Sequence, residues 1–253
     1  MPQHRAAASG PLEATHIPFI ALTEGEGRLD FTGLKPGADG WITYANPGPY
    51  DRYPETEFLL ARTEHTAPSG RPDGNVLSPY RQAHCMLNRR CQGCGEPAER
   101  SDSGVLHVLP ATRADGRPAA RSGPSDMPPS CARCALHYCP VLTDLGRMPL
   151  WVAQAEVIGV YAEVFPPARR GLRGRLSDRF VPFDDDEGTA SAAVATRYVC
   201  DLRRVSDADP AHIAELARRR PAPVRTRDAS AARTHAAPQG ARSEPAAVPG
   251  RTA

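Results

Sequence analysis

The chain of 253 residues carries 31 Lys+Arg against 29 Asp+Glu, a formal charge of +2 that excludes both an acidic and a strongly basic protein. Its 40% hydrophobic content overstates the core: about 39 of those residues are Ala, and Leu, Ile, Val and Phe together make only roughly 17%, too little for a whole chain to fold on apolar burial. With 27 Pro and 21 Gly and no collagen-like period, one compact domain over the full length is not expected; a modest ordered domain between disordered ends is, with help from something besides apolar burial.

Residues 1–15 are rich in Ala, Pro and Gly without a period and read as disordered. Short β-branched or aromatic runs bounded by Gly and Pro predict strands in 16–23, 40–45 and 57–62. Ser78-Pro79 predicts a helix start, with a side-chain oxygen to cap it and Pro at the first helical position; Tyr80, Ala83, Cys85 and Leu87 supply its buried side. Gly104 to Pro110 predicts a strand, 111–130 a flexible surface loop of Ala, Arg, Gly, Pro, Ser and Asp, and the run from Cys131 a short helix. Residues 150–165 fit both periods, but their β-branching and Gly159 favour two strands joined at a bend. The basic run 169–179 and the acidic run 184–187 read as solvated loops that attract each other weakly. Alternation predicts a last strand over 197–205, then a short helix capped by Asp209 within 206–220, and a disordered tail over 221–253. The fold class is therefore α+β, with the ordered domain placed at 16–205.

Met1 to Gly10 has no apolar run, so no secretory signal peptide is expected and the chain is expected to stay in the cytoplasm. The run 150–165 contains Gln154, Glu156 and Glu163 and falls short of the roughly 20 residues a membrane-spanning helix needs. In a reducing compartment, seven cysteines favour metal coordination over a disulfide framework. Arg outnumbers the lone Lys35 so heavily that coding bias toward GC-rich codons weakens any reading of Arg clusters.

The strongest pattern is Cys91-Gln-Gly-Cys94-Gly95 paired with Cys131-Ala-Arg-Cys134. Two residues between thiols let one turn aim both sulfurs at a single ion, and Gly93 and Gly95 permit the tight backbone. Two such pairs predict a tetrahedral, structural zinc site of Cys91, Cys94, Cys131 and Cys134. The interval of about 36 residues between the pairs exceeds the usual 15–20 by the length of the 111–130 loop. A knuckle, a strand and then ligands from a helix start give a treble-clef-like outline. Cys85, Cys139 and Cys200 read as small buried residues. His84, His107 and His137 read as neighbours or surface groups rather than ligands.

"RRCQGCG" at 89–95, a strand ending in Pro, and "PPSCARCALHYCP" at 128–140 resemble uncharacterised proteins of actinobacteria and their phages that carry a helix running into Cys-x-x-Cys and a Pro-preceded second pair. This resemblance covers about 75–165 and implies no activity. The same scaffold is similar to zinc-stabilised HNH endonucleases, in which an acidic-His-hydrophobic-x-Pro strand supplies the general base and an Asn and a His after the second pair help hold a catalytic metal. Leu106-His107-Val108-Leu109-Pro110 matches in part, with Leu106 at the acidic position, Ala135 at the His/Asn position and Asp126 nearest to the Asn.

The expected function is a protein-interaction or nucleic-acid-binding module around structural zinc, with no membrane and no small-molecule cofactor; an HNH-like metal-dependent endonuclease is the alternative. Arg89, Arg90 and Arg133 are the candidate phosphate contacts. Residues 79–142 carry roughly +3, which four thiolates and one zinc ion reduce to about +1, a weak footprint for nucleic acid.

Overall fold

The computed structural model describes residues 18–65, 69–112, 117–118, 120–137, 146–166, 172, 174–185 and 188–219. The two predicted disordered ends, Cys139, and parts of the 111–130, 169–179 and 184–187 segments lie outside the described residues. The architecture is α+β.

The N-terminal part is broken by Pro, Gly and Asp, and accordingly forms only short strands: β1 (Ala21–Thr23), β2 (Leu29–Asp30), β3 (Leu34–Pro36), β4 (Ile42–Tyr44), β5 (Leu59–Leu60), β6 (Arg62–Thr63) and β7 (Pro72–Leu77). They join antiparallel as β1 with β7, β2 with β6 and β3 with β4. Polar ties hold these small sheets where apolar area is scarce. Tyr44 Oη donates to the Leu60 carbonyl at 3.1 Å and accepts from the Arg62 N–H at 3.2 Å. The Arg62 guanidinium makes a two-pronged contact with Asp51, both bonds 2.7 Å, the geometry that makes Arg–carboxylate pairs strong.

Helix α1 (Pro79–Leu87) starts as the sequence predicts, with Pro79 at its first turn and Ser78 Oγ accepting the Arg81 N–H at 3.4 Å. It buries Ala83, Cys85 and Met86, and it also buries Gln82 completely. That glutamine is a clamp: its Oε1 accepts the Tyr198 N–H at 2.6 Å and its Nε2 donates to the Asp126 carbonyl at 2.6 Å.

The remaining strands are β8 (Arg100–Ser101), β9 (Gly104–Pro110), β10 (Gly123–Ser125), β11 (Arg147–Val164), β12 (Leu176–Pro182) and β13 (Ala193–Asp207), with α2 (Ala132–His137) before β11 and α3 (Pro210–Arg219) at the end. The main sheet runs β10-β13-β11-β9-β8; β12 also pairs with β11, and β5 joins β13 in parallel. β11 and β13 are antiparallel from Leu150↔Asp207 to Val164↔Ala193. One face of the sheet packs under α1, with Leu109, Leu150, Val160, Tyr198 and Leu202 in its core. The other face of β9 turns Leu106 and Val108 toward Ala132 and Ala135 of α2, Ile213 of α3 and Trp151.

Four sequence expectations change. Residues 150–164 are not two strands but part of one 18-residue strand, because β13 pairs with them from Leu150 to Val164 and absorbs the bend as bulges at Val157/Gly159 and Tyr161/Ala162. The 111–130 loop contains β10, pinned to β13 through Ser125↔Cys200. The basic run ends in β12, and its Arg175 pairs with Glu163 of β11 at 3.2 Å. The C-terminal helix is not an appendage to a domain ending at 205, since Ile213 is fully buried against α2 and Trp151. Among the described residues no helix is long and apolar enough to cross a membrane.

Candidate metal centre

α1 ends at Asn88, Arg89 takes a left-handed conformation at φ 51°, and the chain doubles back. The Arg90 N–H donates to the Cys85 carbonyl at 2.8 Å and the Ala98 N–H to the Arg89 carbonyl at 3.1 Å, which closes a hairpin around Cys91–Glu96. Inside it, the Cys91 N–H donates to the Glu96 carbonyl at 2.7 Å, the Gly95 N–H to the Cys91 carbonyl at 2.8 Å, and the Gly93 N–H to Cys91 Sγ at 3.3 Å. This is the knuckle expected of Cys-x-x-Cys. The second pair arrives on the segment before α2. The Gln92 N–H donates to the Pro129 carbonyl at 2.9 Å, Gln92 Nε2 to Ser130 Oγ at 3.0 Å, and the Ser130 N–H to the Leu106 carbonyl at 2.8 Å. Knuckle, β9 and the start of α2 are thereby tied into one unit before any ion is considered.

The four Sγ atoms of Cys91, Cys94, Cys131 and Cys134 lie within 4.8 Å of one another, and Cys94 and Cys131 are 3.8 Å apart. That separation is far beyond the 2.03–2.05 Å of a disulfide, and the described cysteines are all free. Cys91, Cys131 and Cys134 are buried and Cys94 is partly exposed. Left to themselves, thiols at this spacing share protons: hydrogen bonding to Cys131 together with burial holds Cys91 well above the usual thiol range, and hydrogen bonding to Cys134 holds Cys131 well below it. A cation at the centre suits four sulfurs better, since it stabilises all of them as thiolates. The four residues can hold a metal ion.

Gly93 is fitted to this cluster. A Cβ there would lie 2.8 Å from both Cβ and Sγ of Cys134. We expect Gly93→Ala to push the two pairs apart and weaken metal retention by at least tenfold in a competition titration with a chromophoric chelator, whereas Gln92→Ala, which removes one neutral bond across the pairs, costs only about 1 kcal/mol of stability.

Of the remaining candidates, Cys85 is buried under the knuckle and its Sγ donates to the Cys91 carbonyl at 3.6 Å, and Cys200 donates from β13 to the Ser125 carbonyl at 3.4 Å. Burial pushes the Cys200 thiol up to about 12, which keeps it a neutral thiol at neutral pH. His84 Nδ1 meets Tyr53 Oη at 3.0 Å, away from the cysteines, and burial lowers its basicity. The side chain of His137 lies outside the described residues. His107 lies in β9 and is 1% exposed. Asp126 is ion-paired to Arg197 at 3.1 Å, and the only metal-holding group among the described residues is the cysteine cluster. Of the three arginines, Arg90 donates to the Gly95 carbonyl at 2.9 Å and so braces the knuckle; Arg89 is exposed and Arg133 half-buried.

Sequence reasoning missed Phe19, whose N–H donates to the Gly93 carbonyl at 3.0 Å and whose ring closes over Gly95, and Ser130, the hinge between the two pairs. Neither carries a sequence signal, because each acts through backbone position rather than through a reactive group. The chain matches no protein-family model, no curated protein and no solved structure.

Proposed function

We propose that this is a structural zinc protein with a treble-clef-like centre, held together by Cys91, Cys94, Cys131 and Cys134 and serving as a protein-interaction module, of a kind with the actinobacterial and phage proteins it resembles. The observation that carries the reading is the set of four sulfurs within 4.8 Å of one another. A tetrahedral zinc with bonds of about 2.3 Å places its sulfurs about 3.8 Å apart, which is the separation of Cys94 and Cys131. With all four positions filled by protein sulfur, the ion has no open site for a substrate or a water, which is the mark of a structural rather than a catalytic centre.

Protein rather than nucleic acid is favoured as partner because the arginines around the site are few and Arg90 already serves the knuckle. The nuclease alternative has less support, since the one metal-holding group among the described residues is the cysteine cluster and Asp126, nearest to the Asn position, is paired with Arg197, which leaves no second metal beside His107 to activate a phosphate. Metal analysis of the purified chain should return one equivalent of zinc, and Cys91→Ser less than half of that. Zinc below half an equivalent in the unaltered chain overturns the metal assignment, and a duplex shift with steep salt dependence overturns the choice of partner.

A further inference from the structure

The main sheet has a gap. Along one edge of β11, Arg147 to Val152 pair with β9 and Gly159 to Val164 pair with β12, but among the described residues no strand pairs with that edge between Ala153 and Ile158. The Ile158 carbonyl faces this side, where it accepts the Phe183 N–H at 3.0 Å. At the start of the strand the Gly146 carbonyl faces the same side, accepting the Ala111 N–H at 3.0 Å, and the register runs without a shift from there to Val157; every second residue of an unbulged strand points the same way, so Gln154 and Glu156 turn their N–H and C=O groups into the gap. Both residues are exposed. Six residues at roughly 3.3 Å each make a slot of about 20 Å.

The slot has a floor. A cavity of ≈ 40 Å³ opens beside it, lined by Met86, Val105, His107, Val152, Ala155 and Cys200 among others. The His107 ring spans this wall. Its Nδ1 faces the Val105 carbonyl at 3.3 Å, the pairing that places the ring proton on Nδ1, and its Nε2 is buried without a hydrogen-bond partner. Nε2 is then a bare acceptor on a largely apolar wall, and a buried acceptor of that kind calls for a donor.

We propose that the gap between β9 and β12 is a docking slot for a short extended peptide from a partner protein, which adds to β11 as a strand through Gln154 and Glu156 and sends one Ser- or Thr-sized side chain into the cavity, its hydroxyl donating to His107 Nε2. Three observations select this occupant. A free strand edge is recognised by main-chain hydrogen bonding, which an extended peptide supplies in alternating register. The edge is recessed between two strands, so a second copy of the sheet cannot pair along it, whereas a segment of four to six residues fits. The cavity is too small for an aromatic side chain but takes a hydroxyl-bearing one. The inference rests on the protein-interaction reading for the nature of the partner and not on the zinc itself.

The test begins with hydrogen–deuterium exchange on the full zinc-loaded chain. The amides of Gln154 and Glu156 should exchange faster than those of Val152 and Val160, which are paired. A phage-displayed library of random heptapeptides is then selected against the chain, and the recovered peptides, made synthetically, should slow exchange at Gln154 and Glu156 and shift the Nε2 resonance of His107. Glu156→Pro removes one ladder donor on the solvent side, and Ala155→Arg crowds the slot from an exposed position; each should weaken the recovered peptides at least tenfold while zinc content stays at one equivalent. Amides of Gln154 and Glu156 that are already slow in the free chain, a library that yields no binder, or binders that protect other residues would each overturn the slot. Loss of zinc in the unaltered chain would count against the function proposed above and leave the slot to be judged by exchange alone.

Discussion

Stripping the metal from the four-cysteine site is expected to unfold the region from the knuckle to α2 and to lower the thermal midpoint of the whole described core. The reason is arithmetic. Structural zinc contributes an apparent folding free energy of roughly 10–16 kcal/mol, while an entire domain is stable by only about 5–15 kcal/mol. The cluster is also not peripheral: Ser130, between the two pairs, donates to Leu106 on β9, and Ala132 and Ala135 of α2 pack with Leu106, Trp151 and Ile213. When α2 loses its anchor, both β9 and α3 lose a packing face. Far-UV circular dichroism and a thermal melt in excess chelator should both show this loss, as should Cys91→Ser or Cys131→Ser without chelator. Cys85→Ala is the control, since it removes a buried thiol that donates only to the Cys91 carbonyl and should keep one equivalent of metal. A chelated chain with an unchanged spectrum and melt would show that apolar packing alone carries the fold.

How much of this was legible in the sequence depends on the range over which each signal acts. The start of α1, the limits of β9, the two cysteine pairs and the Asp209 cap rest on residues close together in the chain, and the fold has them where the spacing puts them. The apolar deficit was also legible, and the fold answers it with more than metal. Buried polar clamps such as Gln82 to Tyr198 and Asp126 join elements more than forty residues apart. Those clamps were not legible, because a glutamine on a helix is ordinary until a distant strand faces it. β10 was hidden for the same reason: Gly123-Pro124-Ser125 has no strand character of its own and is extended because β13 pairs with it. The continuity of β11 through Gly159 likewise depends on its partners, since a Cβ at that glycine would lie 2.4 Å from the Val181 carbonyl on β12. At the site, residue type and spacing pointed to the four cysteines, but the fit of Gly93 against Cys134 and the seating of Phe19 over Gly95 join segments far apart in the chain and leave no local signal.

Acid should destabilise this protein in a window set by His107. Burial pushes the His107 imidazole down to about 4, against a slight opposing effect of its bond to the Val105 carbonyl, whereas the unfolded chain titrates near 6.5. The unfolded state therefore binds the proton first as pH falls. Stability is complete above about pH 6.5, declines through the interval down to about 4, and is lost there by about 3 kcal/mol from this one group. The groups facing the ring do not offset it: the cavity it lines holds no carboxylate, and the Cys200 thiol, raised to about 12, stays neutral throughout. Thiolate protonation at the metal centre also weakens the fold in acid, so the measurement has to be a difference. Urea unfolding of the unaltered chain and of His107→Leu, run in parallel from pH 7 to pH 4, separates the two, because both proteins share the cysteine site and only one titrates in β9. At pH 7 the leucine variant should be equal or slightly more stable, since it replaces an acceptor that has no partner with an apolar group of similar size. Toward pH 4 the gap in its favour should widen by about 3 kcal/mol. A gap that stays constant with pH would mean that the ring charges within the fold at its ordinary value, and hence that water or a partner group reaches Nε2.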